Sequence, residues 1–344
     1  MTSLAGCDPL DLHGRRLLLT GGSGFVGRTL LDYLRVAGEV HGGYPEVWVL
    51  SRTPQQFLSR YPGYGNLPWL TVVAGDILDI DAQRLARSER WGQGRPVPPT
   101  FTDILHGAAD THAGGSRLSW FDQIVLGTRN LLDLALVSGM PRFLLLSSGA
   151  VYGPQPENLV GLPEDYPGAP ATGLPTTVYG QAKRVAEHLC TLYRAEHGLP
   201  VVVARCFAFI GAHLPLDGPY AIGNFLRDAL HGRDIVVKSD GSAVRSYLYG
   251  SDLAQWLLTL LIHAEPGTCC NVGSDQALSL GDLARRVATI VAPQKRVVIE
   301  REPVPGCAGA RYVPDIARAA ALGLRVETPL EVAIALTADF LRRV

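Results

Sequence analysis

Short apolar runs alternate with longer stretches of helical period through the first ~200 residues of this chain. Leu17 to Leu19, ending at Thr20, reads as a buried strand, and Phe25 to Leu34 follows with apolar residues at helical spacing. Glu46–Ser51, Leu70–Ala74, Asp103–His106, Phe143–Leu146 and Val201–Cys206 repeat the strand signature. Asp122–Ser138 reads as a helix stopped by Gly139-Met140-Pro141. Strands without inside–outside alternation, separated by helices, predict an α/β fold with a Rossmann-type doubly wound parallel sheet. After Cys206 the elements shorten: Ile235–Val237, Ser246–Tyr249, and helices over Leu253–His263 and Leu280–Val291, the last N-capped by Ser279. The expected division is a sheet domain over 13–208, rejoined by 246–264, and a smaller mixed α/β unit over 209–344.

Composition narrows the class. The chain has 344 residues, 47% of them hydrophobic and 18% charged, as in ordinary globular enzymes. A net charge of -1 speaks against nucleic acid as a partner. No apolar run approaches the roughly 18 residues of a membrane span, so no membrane partner is expected. The six cysteines are scattered without a CxxC pair, which predicts no metal site and a reduced, cytoplasmic protein.

The stretch after the first strand carries the first chemistry. Gly21, Gly24 and Gly27 recur at a spacing of three between a strand and a helix. The first glycine permits the turn, the second lets backbone approach a pyrophosphate, and the third lets helix pack on strand. The helix start then faces the phosphates with its N–H groups. Gly21, Ser23, Gly24, Phe25, Val26 and Gly27 are therefore candidate cofactor residues, for NAD(P). At the end of the second strand stand Ser51 and Arg52, where an acid would bind the adenosine ribose of NAD; the arginine leans toward NADP. Asp76 and Ile77 follow the third strand and suit the adenine. Ala108 and Ala109 follow the fourth, small residues where backbone passes close to a ligand.

Ser148 lies at the carboxyl end of the Phe143–Leu146 strand, where open parallel sheets bind ligands. A Pro/Gly-rich segment, Pro154 to Thr177, suggests a substrate lid. Tyr179 and Lys183 come next, four apart and so on one helix face. An ammonium one turn from a phenol, together with a positively charged nicotinamide, favours the phenolate, which can take a proton from a substrate hydroxyl. Ser148, Tyr179 and Lys183 are the candidate catalytic residues, Tyr179 and Lys183 also touching the cofactor.

In this order, Thr20 to Gly27, Gly75-Asp76, His106 to Ala109, Ser147-Ser148, Val151 to Gly153 and Tyr179-xxx-Lys183 resemble the extended short-chain dehydrogenase/reductase family. More narrowly they resemble its nucleotide-sugar epimerase/dehydratase branch. That resemblance implies a nucleotide-diphosphate sugar as substrate, hydride transfer at a hexose carbon, most often C4, and a homodimer. It also implies substrate contacts from Asp110, Ser148, Gly149, Asn224 and Arg245, the last to the pyrophosphate, with Arg311 as a second phosphate ligand.

The departures bear on the reaction. The branch's 4,6-dehydratases follow the catalytic hydroxyl with acids, whereas Gly149 and Ala150 follow Ser148 here. Ala208, Ile124 and Leu126 stand where the family often shows asparagine. A 4-epimerase is favoured; a reductase using NADPH on a 4-keto sugar is the alternative that Arg52 supports. A dehydratase would need a displaced acid, from Asp110, Glu164 or Asp165. A reductase of an apolar substrate would leave Arg245 without a partner, and a non-catalytic binding protein would not need the Ser-Tyr-Lys set.

Overall fold

The computed structural model describes residues 12–82, 90–91, 95–96, 100–109, 116–232, 234–302 and 309–343. Seven parallel strands form its main sheet: β1 (Arg16–Thr20), β2 (Glu46–Ser51), β3 (Leu70–Ala74), β4 (Asp103–His106), β5 (Arg142–Ser148), β6 (Val201–Cys206) and β7 (Cys269–Val272). Their spatial order is β7-β6-β5-β4-β1-β2-β3. The doubly wound sheet read from the sequence is thus present. Its seventh strand comes from beyond the 246–264 stretch, and its Cys-Cys-Asn-Val sequence carries no strong strand signal.

Successive residues of β1 serve opposite faces, as strand geometry requires. Leu17 and Leu19 join one core with Leu30, Leu31 and Leu34 of α1 (Phe25–His41), while Leu18 joins the other with Ile104, Leu131 and Phe143. On the second face α2 (Arg117–Val137) packs against α3 (Val178–His197); on the first, α1 packs against α4 (Gly250–His263). The order in which successive strands are laid down reverses between the parallel neighbours β1 and β4, so their carboxyl ends, Thr20 paired to His106, open a crevice. A third core, including Phe225, Leu226, Leu283, Val287 and Ile334, lies in the carboxyl-terminal part.

Residues 154–177 are tied down rather than hanging as a flap. Leu162 N donates to Val313 O at 2.9 Å, Asp315 N donates to Leu162 O at 3.0 Å, and Gln181 Nε2 donates to Pro170 O at 2.7 Å. Arg205 Nη1 donates to Glu164 O at 2.9 Å. The segment is a strap that fastens the chain around 311–315 to the end of β5.

Candidate active site

Ser148 is the last residue of β5, and the chain turns at once into a short 3-10 helix, Gly149–Tyr152. Its Oγ accepts from Ala150 N at 3.2 Å. Helix α3 packs on β5 and delivers Tyr179 and Lys183 from its first two turns. Lys183 is buried, its Nζ donating to Leu146 O at 2.6 Å and standing 5.9 Å from the centre of the Tyr179 ring. The three residues picked out by spacing therefore meet at the carboxyl edge of the sheet.

The electrostatics of the protein alone oppose the phenolate. Burial pushes the Tyr179 phenol well above its ordinary value, with the negative charge of an ionised Tyr312 adding to the rise and the Ser148 hydroxyl opposing it. The ammonium does not reverse this, because its nearest acceptor is the Leu146 carbonyl. Burial also lowers Lys183 to about 8, Cys206 and Glu187 pulling the other way. A lysine whose folded pKa is depressed binds fewer protons folded than unfolded between its folded and unfolded values, here from about 8 up to the ordinary lysine value. Its penalty is full below about 8 and relieved as pH rises from there toward the ordinary lysine value. The ligand-free protein should thus gain stability across that alkaline window, and Lys183→Met should flatten the gain. Melting temperatures measured against pH for both proteins check this; parallel curves would contradict it.

A residue not singled out from sequence completes the cluster. Tyr312, from the short strand Arg311–Tyr312, places its hydroxyl 3.5 Å from Ser148 Oγ and 3.4 Å from Cys206 O. Burial pushes this phenol up to about 12. Its ring lies 4.6 Å from that of Phe207, and the Arg245 guanidinium stands 5.8 Å from its centre. The only sequence signal was the aromatic beside Arg311.

The glycine turn has the shape a dinucleotide phosphate needs. Gly21 adopts φ +76°, and a Cβ there would fall 2.8 Å from Gly107 backbone. A Cβ on Gly24 would meet only Gly21 O, at 3.3 Å. Helix α1 starts with neither a capping side chain nor an acidic residue in its first turn, so its positive end is unopposed. Ser23, Phe25 and Val26 lie in this turn and helix start. Ala108 N donates to Thr20 Oγ1 at 3.2 Å, holding the Ala108-Ala109 backbone beside it. Across the crevice, Ser51 is buried and takes Thr53 N at 3.2 Å, Arg52 is exposed at the end of β2, and Asp76 Oδ1 accepts from Leu78 N at 3.0 Å next to buried Ile77. These residues suit NAD(P): a cradle without side chains for the pyrophosphate, and the Ser148, Tyr179 and Lys183 edge for the reacting ring.

The remaining substrate candidates are dispersed. Arg245 Nη1 donates to Val244 O and Ala310 O, both at 2.8 Å, and Arg311 Nε to Val160 O at 2.8 Å. Asn224 Nδ2 donates to Gly218 O at 3.1 Å. Asp110 lies outside the described residues. Glu164, weighed as a displaced acid, is buried: its Oε1 accepts from Asn271 N at 2.9 Å and its Oε2 lies 3.8 Å from Arg318. Among the described residues, no group of three or more His, Cys, Asp or Glu is placed to hold a metal, and no helix is long and apolar enough to cross a membrane.

Comparison with known proteins agrees with this geometry. The chain is 28% identical over 338 residues to UDP-glucuronic acid decarboxylase 1 of Danio rerio, covering 96% of this chain and 73% of that protein. It is 30% identical over 297 residues to UDP-glucuronic acid decarboxylase 5 of Arabidopsis thaliana, covering 84% and 78%. The fold superposes on UDP-glucose 4-epimerase of Thermotoga maritima, solved with UDP-glucose, with a TM-score of 0.76 at 22% identity over 95% of this chain and 99% of that one. It also superposes on dTDP-glucose 4,6-dehydratase of Bacillus anthracis, solved with NAD, with a TM-score of 0.77 at 19% identity over 96% and 97%. The model of the NAD dependent epimerase/dehydratase family matches residues 17–273, and the chain belongs to that family, as an enzyme of the extended short-chain dehydrogenase/reductase type.

Proposed function

We propose that the protein is a nucleotide-diphosphate-sugar 4-epimerase that keeps its NAD bound through turnover, with Ser148, Tyr179 and Lys183 at the reacting carbon. The observation that carries this is the convergence of those three residues at the end of β5, with no acidic side chain following Ser148. Bound NAD supplies a hydride acceptor and a positive ring charge. Tyr179 takes the proton of the substrate hydroxyl and later returns it, and Ser148 holds the same oxygen. Tyr179, whose burial otherwise keeps its phenol protonated, would be favoured as the phenolate by that ring charge. Lys183 orients the edge through Leu146 and holds the nicotinamide ribose. Arg245, with Arg311, is the site for the diphosphate.

A second reading, decarboxylation of a nucleotide-linked uronic acid, is favoured by the relatives at 28% and 30% identity. It too tolerates the missing acid, because a carboxylate beta to a transient ketone leaves as carbon dioxide without a base at the neighbouring carbon. A third, NADPH-dependent reduction, rests on exposed Arg52 beyond β2.

The test is to incubate the purified protein with UDP-glucose and with UDP-glucuronic acid and read the products by mass and chromatography. Epimerisation preserves the mass and moves the retention time; loss of carbon dioxide selects the second reading. Native mass spectrometry of the same sample reads the cofactor and the proposed homodimer together. A stoichiometric NAD supports retention, whereas an empty protein that prefers NADPH would replace the epimerase with the reductase.

A further inference from the structure

Gly149 follows the catalytic serine, and a Cβ on it would fall 2.7 Å from the Tyr312 hydroxyl and 2.7 Å from the edge of the Phe207 ring. The space next to Ser148 is therefore filled by a phenol arriving from 164 residues away in the chain. That phenol is held on several sides. Its residue pairs with Arg245 in a parallel register, its ring rests on Phe207, and the next residue is fixed by Gln155 Oε1 to Val313 N at 2.9 Å. The strap bond from Leu162 N to Val313 O, 2.9 Å, adds a second hold.

A serine hydroxyl has one proton to give and two lone pairs with which to accept. Ala150 N–H occupies one lone pair at 3.2 Å. The Tyr312 hydroxyl stands 3.5 Å from Ser148 Oγ on another side, where either oxygen can be the donor, and it donates to Cys206 O at 3.4 Å. We propose that Tyr312 is a positioning residue that fixes the polarity of Ser148: its proton, bifurcated between Cys206 O and Ser148 Oγ, engages the serine's second lone pair, so that the serine proton is directed at Tyr179 and at the substrate oxygen between them. The proposal rests on the functional reading above for that substrate oxygen alone. In this arrangement a chain runs from Tyr312 through Ser148 to the Tyr179 oxygen, and donation along it stabilises the phenolate. Gly149 is then required for reach, since any side chain there displaces the donor.

The experiment uses the full chain saturated with NAD, with tyrosines isotopically labelled at Cζ. Comparison with Tyr179→Phe identifies the Tyr179 resonance. In Tyr312→Phe, which keeps the ring against Phe207, that resonance should move and its titration midpoint should rise by about one pH unit, because the serine proton is no longer held toward the charged form. Gly149→Ala should shift it in the same sense, although the Tyr312 phenol is still present. A Tyr179 resonance unmoved in Tyr312→Phe, in protein with unchanged melting temperature, overturns the proposal, as does a fall in the midpoint. Because the readout needs no sugar nucleotide, it stands or falls separately from the choice of reaction. If Gly149→Ala does not fold, Tyr312→Phe decides alone.

Discussion

Turnover by Tyr179→Phe is expected to fall about 10³-fold while NAD binds as it does to the parent. The substitution removes one oxygen and leaves the ring, which packs with the core beneath β5 and lies 5.9 Å from Lys183 Nζ. What disappears is the group that takes the substrate proton, and neither neighbour replaces it. Ser148 is too weak a base, and burial holds the Tyr312 phenol protonated up to about 12. The phosphate cradle, Gly21 to Gly27, belongs to a different strand and helix and is untouched. Rates on whichever sugar nucleotide the parent converts, with a titration of NAD, measure both halves. Turnover within about tenfold of the parent would remove Tyr179 from the proposed mechanism.

The second large effect is expected from Gly27→Ala, by a wholly different route. A methyl group there would lie 2.3 Å from Gly21 O and 2.4 Å from Gly22 Cα. Those atoms are backbone of the turn itself, so no flexible side chain can move aside. Either α1 retreats from β1, opening the core that Leu30, Leu31 and Leu34 fill, or the turn deforms. Overpacking of this kind costs about 1–3 kcal/mol, and deformation also spoils the cradle. The expected result is a clear fall in melting temperature together with at least about tenfold weaker NAD binding. A variant as stable as the parent, binding NAD equally well, would show that the helix and turn do not meet as described.

The contrast between Gly27 and Tyr312 shows what was readable in the chain. The glycine turn, the apolar runs of the first six strands and the Tyr179–Lys183 spacing are local patterns, set by periods of two and 3.6 residues. Ser279 as an N-cap was legible for the same reason, and it accepts from Asp282 N at 3.0 Å. Tyr312 was not legible, because its meaning comes from a neighbour 164 residues away. The strand Cys269–Val272 was missed because a sheet edge needs only backbone, whatever the side chains propose. The strap was read as a lid from its prolines and glycines, which report irregularity but not the bonds to Val313 and Asp315. The burial that opposes ionisation of Tyr179 was not legible for a related reason. Charge spacing can be counted along a helix, but burial is created only by the assembled fold.

The bond from Arg311 Nε to Val160 O joins segments 151 residues apart, and it brings in the stretch that carries Tyr312. On the ribosome, β1 to β6 and α3 emerge well before that stretch, and early-synthesised regions fold first. The residues proposed for the cofactor and for catalysis are therefore synthesised before the strand proposed to orient the serine, with α4 and β7 between them in the chain.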